Sequence, residues 1–202
     1  MTAPLDFWFD FASTYSYPAA MRMEAAAQAK GVTVNWRPFL LGPIFVAHSW
    51  NDSPFNVYPV KGAYMWRDLE RICRDLGFGF RKPRIFPQNS LKAARIGLIA
   101  ADDGFAPAFT RWVYVANFMQ GENISDDNVL ATILKKLDRD PQAIFARAMA
   151  PENKERLKAQ TAEAVSLGIF GAPSFTVGKE LFWGSDRQDQ SLAWASKQGA
   201  SK

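Results

Sequence analysis

The chain has 202 residues, 48% of them hydrophobic, which is enough for a sizeable core in one domain or in one domain carrying an insertion. Its 24 basic residues are nearly matched by 20 acidic ones, and the net charge of +4 is not gathered into a basic run, which argues against nucleic-acid binding and leaves a solvated surface or attraction for a small acidic ligand. A lone cysteine, Cys73, cannot close an intramolecular disulfide, no apolar stretch approaches the roughly 20 residues of a membrane span, and polar residues break the N-terminal apolar run too early for a secretory signal. The expectation is a cytoplasmic protein that uses neither a membrane nor a nucleic acid as partner.

Residues 5–11 form an almost continuous apolar run (Phe7, Trp8, Phe9, Phe11) and read as a buried strand. Ser13, Thr14, Tyr15 and Ser16 follow, then Pro18 and a helix over 19–30 that Gly31 is placed to end. Residues 32–39 alternate Val32, Val34, Trp36 against Thr33, Asn35, Arg37, which predicts a second strand, parallel to the first because a helix joins them. Gly, Pro, Asn and Asp crowd 41–59, which reads as a long loop with a helical turn around 45–48.

From 61 to 151 the pattern is helical: 61–76, 91–101 after the break at Phe86-Pro87-Gln88-Asn89, 106–119, a helix over 126–137 capped by Ser125, and a short one opened by Pro141. Pro151 opens another that ends at Gly168. A short strand over 174–177, a tight turn at Gly178-Lys179, a strand over 180–183, a turn at 184–187 and a last helix to 197 complete the chain. The order is β-α-β, a long helical block, then α-β-β-α. Interruption of one unit by another predicts a discontinuous domain, 1–42 with 160–202, around a helical insertion at 43–159.

A buried strand that feeds a helix through a hydroxyl-rich turn aims N–H and O–H groups at one point, where the helix N-terminus adds partial positive charge. Such a point suits an anion, a thiolate among them. Ser13 taken locally also reads as a helix N-cap, and so does Asp186; Lys61 reads as an ordinary exposed charge. His48, the sole histidine, has no partners at metal-ligand spacing, so no metal site is expected, and Cys73 falls on an apolar helix face as a core residue. No His/Asp arrangement near Ser13 marks it as a nucleophile.

The element order resembles an α/β thioredoxin-like fold of the DsbA-like branch with a large all-helical insertion. FDFASTYSYPA resembles the N-terminal motif of the 2-hydroxychromene-2-carboxylate isomerase family and of the related kappa-class glutathione transferases, where a serine replaces the first cysteine of the redox site. Ala172-Pro173 resembles the cis-proline pair of that fold, Lys61-Gly62-Ala63-Tyr64 the start of the first insertion helix, Phe86-Pro87-Gln88-Asn89 a Phe-Pro-x-Asn element, and Trp183-Gly184-Ser185-Asp186-Arg187 the turn that holds the γ-glutamyl end of glutathione. Thr14 departs from the family pattern, which usually has proline there; threonine keeps the N–H that proline lacks.

The resemblance implies glutathione as cofactor and Ser13 as the catalytic residue, its hydroxyl favouring the thiolate. It implies glutathione binding by Asn51, Lys61, Ala172, Pro173, Ser185 and Asp186, with Tyr15, His48 and Asn89 bordering a small aromatic carboxylate substrate. It also implies a homodimer. The implied reaction is cis–trans isomerisation of a conjugated aromatic keto acid by reversible thiolate addition. A kappa-like glutathione transferase or peroxidase, or a thioredoxin-fold module that binds peptides without chemistry, are the alternatives. Disulfide exchange is disfavoured because no protein thiol stands at the site.

Overall fold

The aromatic run near the N-terminus becomes the central strand because both of its faces find apolar partners. In the computed structural model, which describes residues 2–198, β1 (Leu5–Phe9) is followed by α1 (Ser16–Ala29) and β2 (Val34–Pro38), and β1 and β2 pair in parallel. β3 (Ser174–Val177) runs antiparallel on the other side of β1 and β4 (Glu180–Trp183) antiparallel to β3, giving the order β2-β1-β3-β4. The ends of the chain at residue 1 and at 199–202, assigned by sequence to the discontinuous domain, lie outside the described residues.

Successive side chains of a strand point to opposite faces, so β1 divides its aromatics. Leu5, Phe7 and Phe9 enter the main core, while Trp8 enters a smaller cluster with Phe39, Ile44, Ala164 and Ile169. Phe7 stands opposite Trp36 on one side and Phe175 on the other, with ring centroids at 5.2 and 5.4 Å. Each such cross-strand aromatic pair contributes about 0.2–1 kcal/mol and fixes the register. A one-residue slip would put Trp8 where Phe7 belongs. The main core runs without a break from the sheet into the helices through Phe11, Ile96, Phe109 and Tyr114.

Those helices are α2 (Leu41–Ala47), α3 (Pro54–Val57), α4 (Pro59–Asp75), α5 (Leu91–Asp102), α6 (Ala106–Val115) ending in a π-helical turn (Ala116–Gln120), α7 (Asp127–Lys136), α8 (Pro141–Met149) and α9 (Pro151–Ser166). A 3₁₀ turn (Ser185–Arg187) leads into α10 (Gln188–Gln198). The architecture is the α/β thioredoxin-like, DsbA-like arrangement with a large helical insertion. Paired carboxylate–guanidinium forks, Asp102 with Arg156 and Asp103 with Arg147, tie the end of α5 to α9 and α8.

Four boundaries differ from the sequence reading, each for a local reason. The first strand stops at Phe9, not residue 11, because the Asp10 carboxylate accepts from Ala12 N at 2.9 Å and turns the chain. α1 starts at Ser16 rather than 19, since a first-turn amide has no helical partner and Pro18 loses nothing there. The same tolerance lets Gly42 and Pro43 sit inside α2 and Pro54 open α3, so the expected loop at 41–59 carries two short helices. Asp126, not Ser125, caps α7, accepting from Asn128 N at 2.8 Å while Ser125 bonds to Asn123.

Candidate active site

The head of α1, the β2–α2 junction, α3 with the start of α4, the segment before α5 and the loop before β3 enclose a cleft of about 920 Å³. One residue organises its floor. Asp10, only 4% exposed, takes Ala12 N and Ser90 Oγ on one carboxylate oxygen (2.9 and 2.7 Å) and Leu41 N on the other (2.8 Å). Its carbonyl accepts from Ser13 N and Tyr114 Oη, both at 2.9 Å. Burial raises the Asp10 pKa above its ordinary value, against the pull of those three donors. Sequence reading missed Asp10 because it stands inside an aromatic run that scores as strand; the signal was a charged residue where the pattern called for an apolar one.

Ser13 lines the cleft and is 9% exposed. It is not a helix cap: Tyr15 occupies the N-cap position of α1, and no side chain caps that helix. The Ser13 hydroxyl instead donates to Ala172 O at 2.9 Å, joining the head of α1 to the loop before β3. The Ala172–Pro173 bond is cis, as is Phe86–Pro87. Thr14, Tyr15, Asn51, Lys61, Asn89 and Ala172 also line the cleft.

His48, Pro173, Ser185 and Asp186 stand outside its wall. His48 is exposed, bonds through Nδ1 to Ile44 O at 2.8 Å, and its ring lies tilted 5.8 Å from that of Trp50, which does line the cleft. The turn that contains Ser185 and Asp186 is joined to Pro173 by Gly184 N donating to Pro173 O at 2.9 Å. Asp186 is exposed beside Arg187 (3.4 Å), and the Ser185 carbonyl accepts from Arg22.

Charge in the cleft is uneven. Lys61 is the one basic residue among the described lining residues, and no carboxylate of the described residues pairs with it; its Nζ lies 5.4 Å from the Tyr58 ring. The acidic lining residues are both engaged, Asp10 as above and Asp52 by Ser53 N and Asn56 Nδ2. Tyr15 donates to Asp68, which pairs with Arg71 on the next turn of α4, and burial, followed by the Asp68 charge, raises the Tyr15 pKa, so its phenol stays protonated. The Asn89 side-chain oxygen is taken by Leu91 N at 3.0 Å at the start of α5, whereas the Asn51 side chain has no partner among the described residues.

Much of the remaining wall is apolar, including Leu41, Phe45, Trp50, Phe55, Phe170 and Trp183. Gly171 lets the Trp183 indole lie against the chain: a Cβ there would sit 2.5 Å from Trp183 Nε1 and push the ring aside. Among the described residues no group of three or more His, Cys, Asp and Glu could hold a metal ion, and no helix is long and apolar enough to cross a membrane. Cys73 is buried in the core with its thiol pushed up to about 11 by burial. Tyr17 is also a core residue, its hydroxyl donating to Gly79 O at 2.6 Å.

A strand–turn–helix site facing a cis-proline, on a sheet interrupted by helices, defines a thioredoxin-like protein, here with hydroxyl residues and no cysteine in the turn. The family model for the DSBA-like thioredoxin domain matches residues 4–193, and the chain belongs to that family. Within it, the chain is homologous to the 2-hydroxychromene-2-carboxylate isomerases. It is 32% identical to the enzyme of that name from Sphingobium xenophagum over 193 residues, covering 94% of this chain and 96% of the relative. A solved structure of a 2-hydroxychromene-2-carboxylate isomerase superposes with a TM-score of 0.86 at 26% identity, covering 97% of both chains. Glutathione S-transferase kappa 1 of Caenorhabditis elegans is 27% identical, covering 91% of this chain and 88% of the relative. The homology is therefore to enzymes.

Proposed function

We propose that the chain is a glutathione-dependent cis–trans isomerase of a conjugated aromatic keto acid, similar to 2-hydroxychromene-2-carboxylate isomerase. The observation that carries this reading is the cleft itself: a hydroxyl-lined helix head and one unpaired cation in a wall that is otherwise mostly aromatic and aliphatic. An anionic thiol peptide suits the first two features and an aromatic carboxylate the third. Similarity to the isomerases and, more distantly, to a kappa-class transferase supports glutathione as the thiol.

In this reading Ser13 is the catalytic residue. Its hydroxyl turns from the Ala172 carbonyl to the glutathione sulfur and favours the charged form, aided by the positive end of α1. Asn51 and Lys61 hold the peptide from the α2–α4 side. Ala172 and Pro173 offer backbone, and Ser185 with Asp186 receive the γ-glutamyl end. Tyr15, protonated at neutral pH, borders the substrate with His48 and Asn89. Bound glutathione supplies a thiolate that adds reversibly to the alkene beside the substrate ketone and so frees that bond to rotate. The apolar wall excludes water, which strengthens each donor aimed at developing charge.

The test is turnover of 2-hydroxychromene-2-carboxylate with and without glutathione. The expected result is turnover that requires glutathione and does not consume it. Turnover without glutathione, or no glutathione binding at millimolar concentration by calorimetry, overturns the reading. The kappa-class relative favours a second reading, glutathione transfer to an electrophile, and one molecule of glutathione consumed per turnover would identify it.

A further inference from the structure

Ser13 does not hold a free proton. Its hydroxyl is committed to Ala172 O, so any bond it makes to a sulfur anion replaces one already formed. Its neighbour differs. Thr14 is 2% exposed yet lines the cleft. Its carbonyl accepts from Tyr17 N at 3.2 Å, but among the described residues neither its N–H nor its hydroxyl has a partner. The nearby Asp10 carboxylate is filled by Ala12, Leu41 and Ser90, and the Asp10 carbonyl by Ser13 and Tyr114. A residue this buried with two unspent donors, at the positive end of a 14-residue helix, is completed only by what enters the cleft.

We propose that Thr14 is a second thiolate-binding residue, its backbone N–H and its hydroxyl receiving the sulfur anion of glutathione beside Ser13. The assignment rests on the glutathione reading above. It divides the work unequally: Ser13 exchanges one acceptor for another, whereas Thr14 forms two bonds and breaks none within the protein.

The test is the ultraviolet absorbance of enzyme-bound glutathione thiolate, titrated with pH, in the wild type and in Thr14→Ser, Thr14→Val, Thr14→Pro and Ser13→Ala. Valine keeps the N–H and loses the hydroxyl; proline loses both. The thiol pKa of bound glutathione is expected to rise by roughly one unit in Thr14→Val and roughly two in Thr14→Pro, to stay at the wild-type value in Thr14→Ser, and to rise less in Ser13→Ala than in Thr14→Pro. S-methylglutathione, which has no thiol to ionise, is expected to bind every Thr14 variant as it binds the wild type, a result that a merely structural role for Thr14 would not give.

A wild-type thiol pKa in Thr14→Val, and in Thr14→Pro where that variant folds by circular dichroism, overturns the assignment alone. Equal weakening of S-methylglutathione also overturns it. Absence of any bound thiolate in the wild type overturns the glutathione reading and this assignment together.

Discussion

The two sides of the cleft are built in opposite ways. On the sheet side, Asp10 gathers five hydrogen bonds from four segments of chain, and Phe7, Phe9 and Phe11 behind it are fully buried. On the other side, α3 is four residues long with none buried, and Val46, Val57, Tyr58 and Val60 are exposed. Ser13 and Thr14, to which we assign the thiolate, stand on the densely bonded side. The side that meets a substrate of variable shape is held by few contacts. The difference separates a fixed chemistry from an adjustable fit.

The sharpest way to break the contrast is Asp10→Ala. Two half-buried amides and the buried Ser90 hydroxyl lose their acceptor, and after the relief of no longer burying a carboxylate the variant is expected to lose about 2–4 kcal/mol, read from urea unfolding. Asp10→Asn isolates the charge. Because burial raises the folded pKa of Asp10 above its ordinary 3.8, the native state holds this proton more tightly than the unfolded one. Stability from this group therefore falls as pH rises from the ordinary value through the folded one, and is level above it. The wild type minus Asp10→Asn stability difference should decline over that window. A flat difference would falsify the raised pKa.

Ser13→Ala comes next. Loss of one hydrogen bond to a charged sulfur corresponds to about a 10- to 100-fold fall in kcat, with glutathione affinity changed less. Unchanged turnover would remove Ser13 from the chemistry and leave it only its bond to Ala172.

On the soft side Gly62→Ala puts a Cβ 2.2 Å from the Phe55 carbonyl oxygen, so α3 must shift. The clash is with backbone, but α3 has no buried residue to anchor it and can shift as a unit. The expected cost is about 1 kcal/mol of stability, with a larger rise in KM for the aromatic substrate than fall in kcat. A stability loss as large as that of Asp10→Ala would show that the two sides are equally firm. The smallest effect is that of Lys61→Met, a rise of about 2- to 5-fold in the glutathione Kd that shrinks with added salt, since Lys61 is exposed and screened.

The same contrast decides what the sequence revealed. Strand and helix order was legible because periodicity and punctuation are local, and β1, β3 and β4 repeat their apolar patterns over neighbouring residues. The placement of Ser13 at the cleft, in the turn before α1, was legible as a motif. Asp10 was not, because its partners Leu41 and Ser90 lie 31 and 80 residues away and no local pattern announces them. α3 and the first turn of α2, whose last residues overlap the helical turn read at 45–48, were hidden by glycine and proline, which signal loops in general but are harmless in a first helical turn. The capping role read for Ser13 failed because local preference cannot see the Ala172 carbonyl 159 residues on.

The placement of the indoles has a practical side. Trp8 is fully buried between the sheet and α9, while Trp183 is 52% exposed over Gly171 and shares the cleft wall with Trp50. Of the seven tryptophans, Trp8 and Trp36 are buried, whereas Trp50 and Trp183 stand where a ligand in the cleft would shade them. Replacing the cleft pair one at a time with phenylalanine would let occupancy and unfolding be followed in the same cuvette, with no dye attached.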